Sequence, residues 1–112
     1  MWGKGVAFVA WITLVVAGLF EVAWSFALKL SQGFTQPAAS VATIVLMLAS
    51  FLLLAYAMKS LPLGTAYAVW TGVGAVGAAL AGIVFLGEAA SAQRLFFIAL
   101  IVVGIVGLKF SS

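Results

Sequence analysis

The stretch Gly5-Val-Ala-Phe-Val-Ala-Trp-Ile-Thr-Leu-Val-Val-Ala-Gly-Leu-Phe-Glu-Val-Ala-Trp-Ser-Phe-Ala-Leu28 is 24 residues long and carries one charge, Glu21. At 1.5 Å per residue, a helix of this length reaches about 36 Å, more than the ~30 Å hydrocarbon core of a bilayer. It reads as a transmembrane helix with a carboxylate inside it. Lys4 followed by apolar residues also fits a signal peptide crudely. The run is too long for a signal's apolar region and contains a glutamate, so the spanning reading is preferred.

Three further apolar runs follow. Pro37 to Met58 and Leu63 to Gly87 hold 22 and 25 residues without a charge. Leu95 to Leu108 holds only 14, between Arg94 and Lys109. If Arg94 snorkels, that last helix starts near Ser91 and spans ~30 Å. The pattern predicts an all-α membrane protein with four transmembrane helices per chain, at approximately 5–28, 37–58, 63–87 and 91–110. Residues 1–112 then form a single four-helix transmembrane domain. Gly33 reads as a stop for the first helix and Pro37 as the opening of the second. Lys59-Ser-Leu-Pro62 and Gly87-Glu-Ala-Ala-Ser91 form the other two connections. Links this short predict neighbouring helices that run antiparallel and lie side by side.

The composition agrees and removes whole classes of chemistry. Hydrophobic residues make up 67% of the 112, only 5 Lys/Arg and 2 Asp/Glu are present, and mean hydropathy is +1.37. A soluble domain has roughly a quarter of its residues charged; disorder and coiled coils are excluded on the same ground. With no His, no Cys and both acids being Glu, zinc, iron–sulfur and copper sites lack ligands. The usual nucleophile–base sets cannot be assembled either. An enzyme is therefore not expected, and neither is a cofactor or a metal. Five scattered cations, despite the net charge of +3, do not make a nucleic-acid patch. They fit membrane boundaries instead, with Lys29, Lys59, Arg94 and Lys109 as interfacial anchors.

Counting cations by side bears on assembly. The N-terminus, the second connection and the C-terminus hold Lys4, Lys59 and Lys109; the other side holds Lys29 and Arg94. A tally of three against two barely orients the chain under the positive-inside rule. Either the three-lysine side is cytoplasmic by a weak bias, or both orientations insert. Transporters commonly move two repeats about a central site, yet no internal repeat is visible here. A transporter built from this chain would need a second copy, possibly inserted upside down.

Glu21 lies ~6 Å from the middle of its helix, where an ionisable group costs about 2.5–3.5 kcal/mol to insert. Such a residue is a functional candidate by default; the competing reading is a protonated Glu holding helices together. Leu14, Ala17, Gly18, Trp24, Ser25 and Leu28 share its face at helical spacing. In the third helix Tyr67, Trp70, Thr71 and Gly74 share another, and Ser50 interrupts the apolar second helix. Ser50 can also bond its own i−4 carbonyl, and Tyr67 can belong to an interfacial belt. Together, a carboxylate, a serine and aromatics with polar tips describe a site for an organic cation: Glu21 gives the countercharge and the rings give cation–π attraction. The Trp, Tyr and Ser donors are expected to hold the carboxylate.

Gly72-Val-Gly-Ala-Val-Gly77 matches a dinucleotide-binding string but sits inside an apolar span, so that reading is discarded. Gly74, Gly77, Ala78, Ala81 and Gly82 read as a stripe for close helix packing, and Gly104 and Gly107 as a helix–helix seam. Glu88 reads as solvated, without a role in the site.

Four helices in about 110 residues, one intramembrane Glu in the first, and Leu61-Pro-Leu-Gly-Thr-Ala-Tyr-Ala-Val-Trp-Thr-Gly-Val-Gly74 resemble the small multidrug resistance family over essentially the whole chain. Phe20-Glu-Val-Ala-Trp24 together with the helix 3 string is similar to its guanidinium-exporter subtype; the quaternary-ammonium subtype usually has a small residue where Trp24 stands. The resemblance implies an antiparallel, dual-topology homodimer in the bacterial cytoplasmic membrane. It also implies proton-coupled export of guanidinium or small guanidinyl cations. It assigns substrate and proton binding to Glu21, Trp24, Ser50, Tyr67 and Trp70. Two alternatives stand beside this: a broad exporter of quaternary-ammonium and lipophilic cations, and an accessory membrane subunit that transports nothing.

Overall fold

The computed structural model describes residues 4–111; Met1, Trp2, Gly3 and Ser112 lie outside the described residues, as does the side chain of Lys4, which enters the charge tally above. Four helices follow one another: α1 (Lys4–Leu30), α2 (Pro37–Ala57), α3 (Leu63–Leu86) and α4 (Ala92–Ser111). Each is long and apolar enough to cross a membrane.

Local chemistry explains the ends. α1 runs through Lys29, whose cation suits the negative end of the helix dipole. It stops where Gln32, Gly33 and Phe34 all take positive φ. Ser31 closes this turn: its hydroxyl donates to Leu28 O at 2.6 Å and accepts from the Phe34 N–H at 3.1 Å. Pro37 opens α2 and Pro62 precedes α3, where a missing N–H costs nothing. Gly87 ends α3 in the left-handed conformation, φ 70°, and the Glu88 N–H returns to Gly82 O at 3.1 Å. Ser91 caps α4 by accepting the Arg94 N–H at 3.1 Å.

The helices are not arranged in chain order. α1 lies in the middle with α2 on one flank and α3 on the other, and α4 packs outside α3. α2 and α3 barely touch, although only five residues join them. This departs from the side-by-side neighbours expected from short links. A short link brings helix ends together but leaves the helix bodies free to diverge. α1 takes the place beside α3 because their backbones approach closely; a Cβ at Gly77 would overlap Val22. Gly74 and Gly77 of the small-residue stripe read from the sequence thus pack against α1, whereas Gly82 faces Glu88.

The core is small: Leu14 and Ala17 of α1, Leu54 and Ala57 of α2, and Ala66, Val69 and Trp70 of α3. α4 buries no residue, and the molecule is a slab of 48 × 35 × 18 Å. Large side chains such as Val41, Leu52, Val84, Phe85 and Val103 point outward, as expected of a protein whose solvent is lipid.

Candidate functional site

The site forms where α1, α2 and α3 meet. Ser50 of α2 is fully buried, and its hydroxyl donates to the Ala17 carbonyl of α1 at 2.7 Å. The same hydroxyl accepts the indole N–H of Trp70 from α3 at 3.0 Å. One small side chain therefore ties three helices together, at a carbonyl one turn before Glu21. Ser50 does not bond its own i−4 carbonyl, the local alternative that the sequence left open.

Trp70 is held from two further sides. The Phe51 ring stands edge-on to it at 5.7 Å between centroids, and the Tyr67 ring is tilted against it at 5.5 Å. Tyr67 remains 54% exposed on the open face of the slab. Thr71, read onto the same face, is exposed as well.

Glu21 is half-buried and lies flat against α3 at Gly74. A Cβ at Gly74 would occupy the space of the Glu21 carboxylate, with Glu21 Cγ itself 2.7 Å away. Only glycine leaves that floor. Glu21 Oε1 is shielded and has no hydrogen-bond partner, and the indole N–H of Trp24 has none either. This corrects one expectation. The Trp70 and Ser50 donors do not hold the carboxylate; they are committed to each other and to Ala17 O. The structure brings Ser50, Tyr67 and Trp70 into direct contact and places Glu21 one helical turn from them. The Trp24 indole N–H and Glu21 Oε1 remain unsatisfied, which is costly in a low-dielectric interior and uncommon unless a site is meant to receive something.

Sequence reasoning missed two elements. Phe51 carries no signal, being one apolar residue in an apolar span. The Ala17 carbonyl is backbone and invisible in a side-chain pattern. Gly74, which the spacing puts on one face with Tyr67 and Trp70 and also in the packing stripe, lies directly beneath Glu21.

Glu88, Arg94, Lys59 and Lys109 lie outside this centre. Arg94 Nη2 donates to Glu88 Oε1 at 2.7 Å, and Arg94 Nη1 to Ala89 O at 3.3 Å. Glu88, expected to be merely solvated, is thus one half of an ion pair across the α3–α4 turn. Lys59 Nζ lies 5.4 Å from the Tyr56 ring centroid, and Lys109 Nζ lies 4.9 Å from that of Trp11.

Four apolar spans around an intramembrane carboxylate define a small integral membrane protein with a polar centre. The chain belongs to the small multidrug resistance family: the family model described as "Small Multidrug Resistance protein" matches residues 9–101. It is 61% identical over 103 residues to the guanidinium exporter of Yersinia pestis, covering 92% of this chain and 99% of that one. It is 60% identical to the guanidinium exporter of Shigella flexneri and 55% to that of Citrobacter freundii, each over 92% of this chain and 98% of the relative. The chain is accordingly an integral protein of the bacterial inner membrane.

Proposed function

We propose that this protein exports guanidinium in exchange for protons, working as an antiparallel homodimer of two oppositely inserted copies. The observation that carries the reading is the pair of unsatisfied groups at the centre, Glu21 Oε1 and Trp24 Nε1, beside a fully engaged Ser50–Trp70 scaffold. The relatives named guanidinium exporters, at 55–61% identity over nearly their whole length, supply the substrate.

Planar guanidinium donates two parallel hydrogen bonds to one carboxylate, a geometry that an ammonium cannot match. Trp24, one turn from Glu21 on α1, and the Tyr67–Trp70 ring pair of α3 supply aromatic surface near that position, suited to a flat delocalised cation. A proton and a guanidinium compete for the same Glu21 oxygens, so loading one expels the other. Competition becomes exchange if the empty, charged site changes sides poorly. Each pH unit across the membrane then supplies about 1.4 kcal/mol per proton moved.

The second copy answers the shape of the protomer. A slab 18 Å thick cannot enclose an aqueous chamber by itself, and it buries Glu21 only in part. α4 has no buried residue, and a Cβ at Gly104 or Gly107 would meet nothing. That suits close packing against an α4 from another copy. The three-to-two charge tally accommodates insertion in both orientations.

The test is substrate-evoked current in liposomes, comparing guanidinium with tetraphenylphosphonium in wild type and Glu21→Gln. A guanidinium current that Glu21→Gln abolishes, with little response to the bulky cation, is the expected result. Preference for tetraphenylphosphonium would make the protein a broad multidrug exporter. Silence to both from a folded dimer would make it an accessory subunit.

A further inference from the structure

A groove of about 620 Å³ runs along the outer side of α1 from Ala7 to Val16, lined by Phe8, Trp11 and Ile12 and walled by Lys109 of α4. It lies away from the Glu21 site and takes no part in the exchange proposed above. Its length, ten residues of helix or about 14 Å, is close to half the ~30 Å hydrocarbon core, the depth of one leaflet. Phe8 and Ile12 are 66% and 48% exposed, so the groove opens to the surroundings rather than into the protein.

Its one charge is poorly compensated. Arg94 and Lys109 are fifteen residues apart on α4, about 22 Å of helix, less than the hydrocarbon thickness. At least one of these cations must therefore reach toward an interface. Arg94 is neutralised by Glu88. Among the described residues, Lys109 has only the face of Trp11, and neither described carboxylate side chain is free for it: Glu88 is bound to Arg94 and Glu21 lies against Gly74. An ammonium at the edge of hydrocarbon attracts an anion, and a membrane supplies one in the phosphate of an anionic lipid.

We infer that the α1–α4 groove is a binding site for an anionic phospholipid, its phosphate on Lys109 and an acyl chain along Trp11, Ile12 and Val16. Lys59 provides an internal comparison. It too lies over an aromatic ring, that of Tyr56, and it stands on the same side of the membrane. The cleft beside Tyr56 is lined by Gly5, Val6, Val9 and Ala10 of α1 together with Tyr56 and Ser60, and Lys59 does not line it.

Native mass spectrometry of the purified protein, titrated with phosphatidylglycerol or phosphatidylcholine, tests the site. Wild type is expected to retain phosphatidylglycerol preferentially. Lys109→Gln should cut that retention about fivefold, one cation's share of attraction to an anionic lipid, whereas Lys109→Arg and Lys59→Gln should not. Ile12→Trp fills the groove without touching the charge and should lower retention as well. Equal retention by wild type and Lys109→Gln, or an equal loss with Lys59→Gln, would overturn the proposal. So would Ile12→Trp splitting dimers while leaving lipid retention intact, which would make a second copy the occupant.

Discussion

The Trp70 indole N–H donates to the Ser50 hydroxyl at 3.0 Å, and that hydroxyl in turn donates a hydrogen bond to Ala17 O at 2.7 Å. Three helices meet in this relay, and it sets the level at which Glu21 stands. Ser50→Ala would leave the Trp70 N–H and the second lone pair of Ala17 O unanswered. Interhelical hydrogen bonds in membranes average about 0.6 kcal/mol and reach about 1.7; losing two joined ones should cost about 1–2 kcal/mol. Equilibrium unfolding in mixed detergent micelles measures it. A Ser50→Ala protein as stable as wild type would remove the relay from the account of the fold.

Gly74 governs the carboxylate more directly. Because a Cβ there takes the space of the Glu21 carboxyl group, Gly74→Ala must swing the side chain off α3. Guanidinium affinity should fall tenfold or more, which is about 1.4 kcal/mol or more, while the helices stay folded. Guanidinium titration by intrinsic tryptophan fluorescence, alongside circular dichroism, separates the two effects. Unchanged affinity would mean that the carboxylate does not need α3 as its floor.

Much of this was legible in the amino-acid order. Apolar run lengths marked four spans because a bilayer requires about 20 apolar residues whatever the partners. The ends shifted by a residue or two where capping chemistry decided them, as at Lys29, which the α1 helix includes, and at Ser91, which caps α4. Glu21 stood out because its cost inside a membrane is independent of fold. Partnership was less legible. Nothing in the order of residues shows that Ser50 reaches the Ala17 carbonyl rather than its own turn, since backbone acceptors are present everywhere. The position of α1 between α2 and α3 depends on close helix approach at Gly74 and Gly77, and a glycine announces that a neighbour is near without saying which one.

Proton competition gives a signed pH dependence. A guanidinium that displaces one proton from Glu21 binds more weakly as pH falls, with apparent Kd rising up to tenfold per pH unit below the carboxyl group's titration midpoint and levelling off above it. Glu21→Gln has no such slope. Isothermal titration at several pH values in buffers of different ionisation heat reports both the affinity and the protons released. A pH-independent affinity would separate the proton from the substrate site.

The Glu88–Arg94 pair is a check on over-reading charge. Both side chains are more than a third exposed, at 41% and 37%, and exposed pairs contribute about 0–1 kcal/mol. Glu88→Gln should leave guanidinium transport and its pH dependence at wild-type levels, and the unfolding midpoint nearly so. A large loss of transport current in that variant would mean that the α3–α4 turn moves during exchange.

Trp24 is the residue expected to set cation size. Its indole N–H is unsatisfied, and its ring stands one turn beyond the carboxylate on the same face of α1. Trp24→Ala removes that ring and opens a volume beside Glu21 without changing the charge. Guanidinium loses one aromatic face, worth about 0.5–2 kcal/mol as cation–π attraction, so its current at subsaturating concentration should fall by about two- to thirtyfold. Tetraphenylphosphonium gains room and should begin to evoke a Glu21-dependent current. If Trp24→Ala weakened guanidinium yet still excluded the bulky cation, the size limit would lie elsewhere, and the aromatic group around Tyr67, Trp70 and Phe51 would be the next wall to thin.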